Sequence, residues 1–515
     1  MDRLHHEGSE IPQGLERAAR HALSVAAAFA LLKLAVHLLT NGQYGFFRDE
    51  LCYIAYGRHL DWGYPDGAPA IAWTAWFVHN VLGDSLRALR FLPALAGAGK
   101  VLLTGLICIE MGGGSFAVAL ACLGVTAAPI FLGVDTLFSM NAFEPLFWSG
   151  AVLCVLRAIR RGDERWLLWA GVCLGLGLEF KHSTAFFALC LLAGLALGGQ
   201  RHLFRSGWLW LGAAAAFLLF LPNLIWQYRH DWATYTLLMN VKRTHKNVDL
   251  SAAQFLFQQV LMLLPISLLL WGAGLWQAWR QTTTRFVTVT YVCFFLLMLA
   301  MAAKSYYLAP AYPMLFAAGA VWWAARPNWA RIPLAACILA MALFVSPLVL
   351  PMLPVEKFIA YQRWTGLEPP KTERAHSGPL PQMFGDMFGW PETVEKIARA
   401  YHALPAGERA KTKIFCNNYG EAGAVDFFGP RYGLPNAICP HQGYFYFGYN
   451  GLRKGDTVIV TQSRIEDARK SCGSVEVLDR IGHPYAMAEE HYDLLLCRDL
   501  QIDPAEAWPR MKHWN

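Results

Sequence analysis

The chain has 515 residues, 55% of them hydrophobic and 16% charged, with 20 Trp and a mean hydropathy of +0.30. A soluble protein of this length carries charge on about a quarter of its residues, so the composition excludes that class and defines an integral membrane protein. The formal net charge of +7 is scattered through short loops between apolar runs, which excludes a nucleic-acid-binding face.

From the N-terminus, residues 1–20 are polar and of mixed charge. The apolar run from His21 to Thr40 is long enough to span a bilayer and carries no small-residue cleavage signature, so it is expected to be a retained first span. Apolar windows of about 20 residues then place spans near 88–109, 115–133, 141–158, 166–181, 184–199, 208–226, 258–279, 285–303, 307–325 and 330–350, about eleven in all. With a cytoplasmic N-terminus, the inner loops include Arg157 to Arg161, Arg201 to Arg205, Arg280 to Arg285 and Arg326 to Arg331, the short Arg-rich connections that the positive-inside rule expects there. The odd number of spans sends residues 352–515 to the outer side. This tail is richer in charge, Gly and Pro. Strand-like runs at Lys413–Phe415, Asp456–Thr461, Ser474–Leu478 and Tyr492–Leu496, with a helical pattern over Glu392–Tyr401, predict a small extracytoplasmic α/β domain. The expected architecture is thus an α-helical polytopic bundle over residues 1–351 followed by that domain.

Of the 12 cysteines, eight precede residue 350 and lie mostly in apolar segments, where Cys is a small buried hydrophobe. Cys416, Cys439, Cys472 and Cys497 fall in the tail and can form disulfides if it is extracytoplasmic; their spacing fits no zinc motif.

The polar residues at segment ends sort onto the outer face. Asp49, Glu50, Arg58, Asp61 and Asp66 lie in the first outer loop, and Asp135 and Glu144 flank the second. Lys181 and His182 end the fifth span. His230, Asp231, Lys242, Arg243, His245 and Lys246 fill the third long loop, and Lys304, Tyr306 and Tyr307 begin the tenth span. Carboxylates against a bilayer are costly unless cations, a metal or hydrogen bonds compensate, so their gathering points to chemistry. The arrangement suits displacement of a phosphate from a lipid carrier: a carboxylate activates the incoming hydroxyl while cations or a metal hold the leaving phosphate, which needs no general acid. Structural readings stand beside each residue. Asp49 could pair with Arg48 or Arg58, Glu50 could orient the loop, Asp61 could cap, Asp66 could serve a turn, Lys181 could snorkel, and Lys304 and Tyr306 could anchor at the interface.

The stretch Gly45-Phe46-Phe47-Arg48-Asp49-Glu50-Leu51-Cys52-Tyr53-Ile54-Ala55, continued by Gly57-Arg58-His59-Leu60-Asp61-Trp62-Gly63-Tyr64-Pro65-Asp66, resembles the first outer loop of polyprenyl-phosphate-dependent GT-C glycosyltransferases. More narrowly it is similar to the dolichyl-phosphate-mannose-protein mannosyltransferase-like (PMT-2) group, which includes the aminoarabinose transferases of lipid A. Phe138-Ser139-Met140-Asn141-Ala142-Phe143-Glu144-Pro145, Glu179-Phe180-Lys181-His182-Ser183 and Lys304-Ser305-Tyr306-Tyr307 support the likeness, which covers roughly residues 20–325. It implies a multispan bundle of a bacterial inner membrane with a periplasmic site. It also implies inverting transfer of a sugar from a polyprenyl phosphate to an envelope lipid, glycan or protein acceptor. By carry-over, Asp49 is the base, and Glu50 beside it is the second catalytic candidate. Asp66 and His245 are candidate ligands of a divalent metal, and Arg58, Glu144, Lys181, Arg243, Lys304 and Tyr306 would contact substrate. The neighbourhood Asp66-Gly67-Ala68-Pro69 departs from the family pattern, as do the order and spacing of Arg243 and His245. No Walker-type loop occurs, so no nucleotide cofactor is expected. A transporter or flippase of lipid-linked saccharides is the alternative, one that would bury charge at mid-membrane within broken helices.

Overall fold

A computed structural model describes residues 13–368, 373–374, 378–461 and 464–514. The apolar runs are helices, as they must be where no water is available to satisfy backbone N–H and C=O groups. In chain order they are α1 (Gln13–Thr40), α2 (Arg48–Arg58), α3 (Ala70–Phe77), α4 (Leu86–Glu110), α5 (Ser115–Ala127), α6 (Pro129–Val134), α7 (Met140–Arg161) and α8 (Trp166–Phe180). They continue as α9 (Ser183–Leu197), α10 (Gly207–Arg229), α11 (Ala233–Arg243), α12 (Ala252–Met262), α13 (Leu268–Arg280), α14 (Arg285–Ala300), α15 (Tyr312–Ala324) and α16 (Asn328–Val349). Each expected span coincides with one or two of these helices. Among the described residues, α1, α4, α7, α10 and α16 are individually long and apolar enough to cross a membrane.

Two spans are not the continuous rods the hydropathy suggests. The run at 258–279 bends by 100° between α12 and α13, where Leu264 takes a positive φ of 71° and Pro265 has no N–H to continue the ladder. The run at 115–133 breaks at Ala128, ahead of Pro129. Helices α8 and α9 have 15 residues each, about 22 Å at ~1.5 Å per residue, short of a ~30 Å hydrocarbon core. Their shared turn therefore falls short of the start of α7, and Lys181 meets Glu144 one turn inside that helix.

Alternation of the helices puts the connections on two sides. One side holds the turns around residues 111–114, 162–165, 198–206, 281–284 and 325–327. There Glu110 pairs with Arg157 at 3.0 Å and with Arg161, and Gln200 reaches the Thr282 carbonyl at 2.9 Å. The other side holds α2, α3, the α6–α7 turn, Lys181-His182, the α10–α12 connection, residues 301–311 and the whole C-terminal domain.

That domain is built on a five-stranded sheet of order β2-β1-β3-β5-β4, with β1 (Lys413–Phe415), β2 (Ala437–Ile438), β3 (Val458–Val460), β4 (Cys472–Ile481) and β5 (Tyr492–Leu500). β1 runs parallel to β2 and β3, while β5 is antiparallel to β3 and β4. The expected strands and the Glu392–Tyr401 helix are present, the helix as Trp390–Ala403. The sheet core is continuous with the first loop: Ile414, Ile459, Leu494 and Leu496 pack in one cluster with Val394, Val425 and the α2 residues Leu51, Ile54 and Tyr56. α2 is buried from Glu50 to Gly57 because the bundle lies on one flank and the sheet domain on the other. At roughly 1.5–3 kcal/mol per large apolar side chain removed from water, this contact binds the two parts firmly.

Of the four tail cysteines, Cys472 and Cys497 form a disulfide, and Cys416 and Cys439 are free and buried. The bond closes a 25-residue separation between adjacent strands β4 and β5, which on loop entropy stabilises the domain by about 3 kcal/mol. Cys472→Ser is expected to lower the unfolding free energy of the sheet domain by that amount, read as a lower denaturant midpoint, and to make that midpoint insensitive to reductant. A midpoint equal to that of the oxidised wild type would show that the cross-link is not needed.

Candidate active site

The site begins with the N-terminus of α2. Glu50 at the third helical position accepts the Phe47 N–H at 2.8 Å, and Asp49 and Glu50 both sit in the first turn, where the helix end favours negative charge. The two neighbours then diverge. Glu50 is fully buried and receives Arg90 Nε on Oε1 at 2.8 Å and Nη2 on Oε2 at 2.9 Å, and Oε1 also accepts the Phe138 N–H at 2.8 Å. Arg90 Nη2 further donates to the Gly45 carbonyl at 2.9 Å. Glu50 is thus placed as the anchor that ties the loop to α4 and the α6–α7 turn, rather than as a reacting carboxylate. Asp49, one residue earlier, is only partly buried and accepts a 2.7 Å hydrogen bond on Oδ1 from the hydroxyl of Tyr419.

Asp66 lies further along the loop, beneath Tyr56, whose hydroxyl donates to Oδ1 at 2.9 Å and itself accepts the Gly443 N–H at 3.0 Å. The Tyr56 ring stacks on Tyr64 with centroids 4.1 Å apart. Burial pushes the Asp66 carboxyl up to about 6; the Tyr56 hydrogen bond opposes the rise and the charge of Asp49 adds to it. Asp61 is used locally: its Oδ1 accepts the Trp62 N–H at 2.7 Å.

Lysines on other connections meet carboxylates of their own, and Lys246 is also in electrostatic reach of Asp49. Lys181 donates to Asn141 Oδ1 at 2.9 Å and Glu144 Oε2 at 3.2 Å, and lies 4.1 Å over the Tyr307 ring and 5.8 Å over that of Tyr306. Glu144 also accepts from Ser183. Asn141, Glu144 and Tyr306 line one small cleft. Lys304 and Lys246 both reach Glu373, at 3.0 and 3.9 Å. Burial lowers the Lys246 ammonium, Glu373 and Asp49 raise it, and Arg48 and Lys304 lower it further. Burial also raises the Tyr306 phenol well above its usual range, with Tyr307, Glu373 and Asp49 contributing. Asp49 is therefore within electrostatic reach of Lys246, Tyr306 and Asp66.

The expected residues Glu144, Lys181, Lys304 and Tyr306 come together as one wall. Others are placed elsewhere. Arg58 turns outward and donates to the Asp426 carbonyl at 2.7 Å, docking the sheet domain. Arg243 is exposed and bonds Asn240 at 3.2 Å, and His245, two-thirds exposed, lies 3.9 Å from Asp249. Among the described residues neither Arg243 nor His245 shares a hydrogen bond or ion pair with Asp49 or Asp66, and no three His, Cys, Asp or Glu side chains gather as a metal site.

Asp135 likewise is no outer-face carboxylate. It points into the bundle, fully buried, with Lys100 Nζ at 2.8 and 3.0 Å and Lys33 Nζ at 3.0 Å; Lys33 also donates to the Phe131 carbonyl at 2.9 Å. Both oxygens are engaged by ammonium groups, so the cluster is a closed pin between α1, α4 and α6 and leaves no vacant ion site.

Sequence reasoning missed Tyr419, Tyr56, Arg90 and Glu373. Arg90 alone had a visible signal, an arginine inside an apolar span. Tyr419 stands in a tail with no motif to mark it.

Residues 66–226 match the family described as dolichyl-phosphate-mannose-protein mannosyltransferase (PMT_2). Among solved structures, ArnT from Cupriavidus metallidurans bound to undecaprenyl phosphate superposes with a TM-score of 0.59 at 14% identity, covering 92% of this chain and 97% of that one. Its apo state gives 0.59 and 14%, covering 93% and 98%. The oligosaccharyltransferase of Archaeoglobus fulgidus, tethered to an acceptor peptide, gives 0.47 and 11%, covering 79% and 63%. No curated protein matches the chain by sequence. The likeness to ArnT shows the fold, end to end.

Proposed function

We propose that this chain, a membrane protein of the GT-C glycosyltransferase fold carrying a mannosyltransferase-family segment at residues 66–226, is an inverting glycosyltransferase. It takes a sugar from a polyprenyl-phosphate donor and gives it to an envelope lipid, glycan or protein. The observation that carries the reading is Asp49: a partly exposed carboxylate on a helix first turn, hydrogen-bonded among the described residues at one oxygen, and within electrostatic reach of Lys246. The acceptor hydroxyl attacks the anomeric carbon while its proton passes to Asp49, and the bond from that carbon to the phosphate oxygen breaks on the opposite face. A single displacement inverts the centre, and the charge left on the polyprenyl phosphate is met by Lys181, Lys246 and Lys304.

An apolar groove of about 700 Å³ between α1, α3, α4 and α7, lined by Leu31, Leu34, Thr74, Leu95 and Phe143 among others, offers a path for a lipid chain on the bundle flank. The Arg-rich turns opposite the site and the disulfide in the sheet domain support a site on the outer, oxidising face of a bacterial inner membrane.

The family also implies a divalent metal. Asp66 is half-buried, hydrogen-bonded and close to a second negative charge, which fits a hard-cation ligand that leaves further positions to phosphate oxygens and water. A bound cation would supply charge to the departing phosphate. On this reading chelation is expected to abolish turnover of the wild type, and Asp66→Ala to raise the metal concentration needed for half-maximal rate by at least tenfold. Turnover indifferent to chelator would remove the metal from the scheme.

The test of the function itself is transfer in proteoliposomes. Purified protein is given synthetic polyprenyl-phosphate sugars and envelope extract, and the labelled products and released polyprenyl phosphate are identified by mass spectrometry. Movement of intact lipid-linked sugar across the bilayer without its cleavage would favour the transporter reading instead.

A further inference from the structure

The sheet domain touches Asp49 directly and reaches Asp66 through Tyr56. Tyr419 opens the Tyr419–Phe428 helix, whose N-cap Asn418 accepts the Glu421 N–H at 2.9 Å and fixes the direction of that end. The helix lies against α2 at a distance only glycine permits: a Cβ on Gly423 would stand 2.8 Å from the Leu51 carbonyl carbon, and one on Gly420 2.4 Å from Arg48 Cγ. The Tyr419 ring is held between the Arg48 guanidinium, 5.6 Å from its centroid, and the His441 ring at 5.0 Å. Arg48 is tied in turn to the same domain through Asp386 at 3.6 Å and Glu489 at 3.7 Å. So placed, the hydroxyl meets Asp49 Oδ1 at 2.7 Å, while Oδ2 takes no hydrogen bond among the described residues. The second link is the Gly443 N–H on the Tyr56 hydroxyl that holds Asp66.

We infer that Tyr419 is a positioning residue for Asp49, fixing Oδ1 so that Oδ2 faces the acceptor hydroxyl, and that the sheet domain is thereby a working half of the active site. The inference rests on Asp49 being the base of the proposed transfer. Burial raises the Tyr419 phenol well above its usual range, with Arg48 opposing and Asp49 adding, so the hydroxyl stays a donor.

The experiment compares full-length wild type with Tyr419→Phe, which keeps the ring and removes the hydroxyl. Three readouts are taken: kcat and donor KM, thermal unfolding, and mass-spectrometric labelling of Asp49 by a water-soluble carbodiimide and an amine. A hydrogen bond to a charged group corresponds to roughly a 10- to 100-fold effect. The expected result is a fall in kcat of that size, a donor KM within about threefold of wild type, an unchanged melting temperature, and Asp49 labelled several-fold faster. In an Asp49→Asn background the same substitution should have no further effect on residual rate, since residues acting as a unit are non-additive. A kcat within twofold of wild type overturns the inference. So does a KM rising alone, which would make Tyr419 a substrate contact, or a melting temperature falling in step with the rate. If wild type transfers no sugar from any polyprenyl-phosphate donor, the transferase reading fails, while labelling still decides Tyr419: equal labelling of Asp49 in both proteins rejects the positioning role.

Discussion

Asp49→Asn is expected to cut turnover by about 10²- to 10⁴-fold, the range supplied by a positioned general base. The donor should still bind and the protein should still fold. The substitution is chosen because asparagine keeps an acceptor oxygen for the Tyr419 hydroxyl at 2.7 Å and changes no packing. What it removes is the oxygen able to accept the proton. Steady-state rates with a synthetic donor, alongside equilibrium binding of that donor, separate the two effects. Retained turnover would take the proton from some other group and move the centre of the site away from α2.

Arg90→Met should have the largest effect on stability. Arg90 and Glu50 are both fully buried and joined by two hydrogen bonds, so removing the cation strands a carboxylate in the bundle. Breaking such a pair costs about 3–5 kcal/mol. The first loop should also lose its register, because the Phe47 and Phe138 N–H groups depend on the same carboxylate. Glu50→Gln in the same background should recover much of the melting temperature, since a neutral amide costs less to bury. Unfolding followed in detergent checks both; an Arg90→Met protein as stable as wild type would mean that water reaches Glu50.

The same residues show what a sequence can and cannot convey. The gathering of Glu144, Lys181, Lys304 and Tyr306 and the strands of the tail were legible, whereas the first outer loop, read as a loop, holds the helix α2. Apolar period and segment ends are local properties, and alternation of spans carries them to one face. The choice between the two readings of Glu50, orienting the loop or reacting, was not legible, because its partner Arg90 lies 40 residues on, inside a span read only as hydrophobic. Asp135 looked like a loop acid for the same reason: its lysine partners sit in two different helices. The bend at Leu264 was hidden because mean hydropathy is blind to a positive φ. Arg243 and His245 share a loop with the site, yet their own contacts are local, to Asn240 and Asp249.

The hydrogen bond between Asp49 and Tyr419 joins residues 370 apart. On a ribosome working at ~5–20 residues per second, the first of them waits some 20–70 s for the second to be made. During that interval the helix that shields α2 in the finished protein has not yet been made. Leu51, Ile54 and Tyr56, buried in the finished protein, then lack the cover that the sheet domain later provides. The nascent chain is thereby obliged either to keep α2 against the lipid surface or to lend it to a chaperone. If Asp49 is the base of the proposed transfer, an unfinished chain, with Asp49 still unsupported, would have little power to transfer sugar.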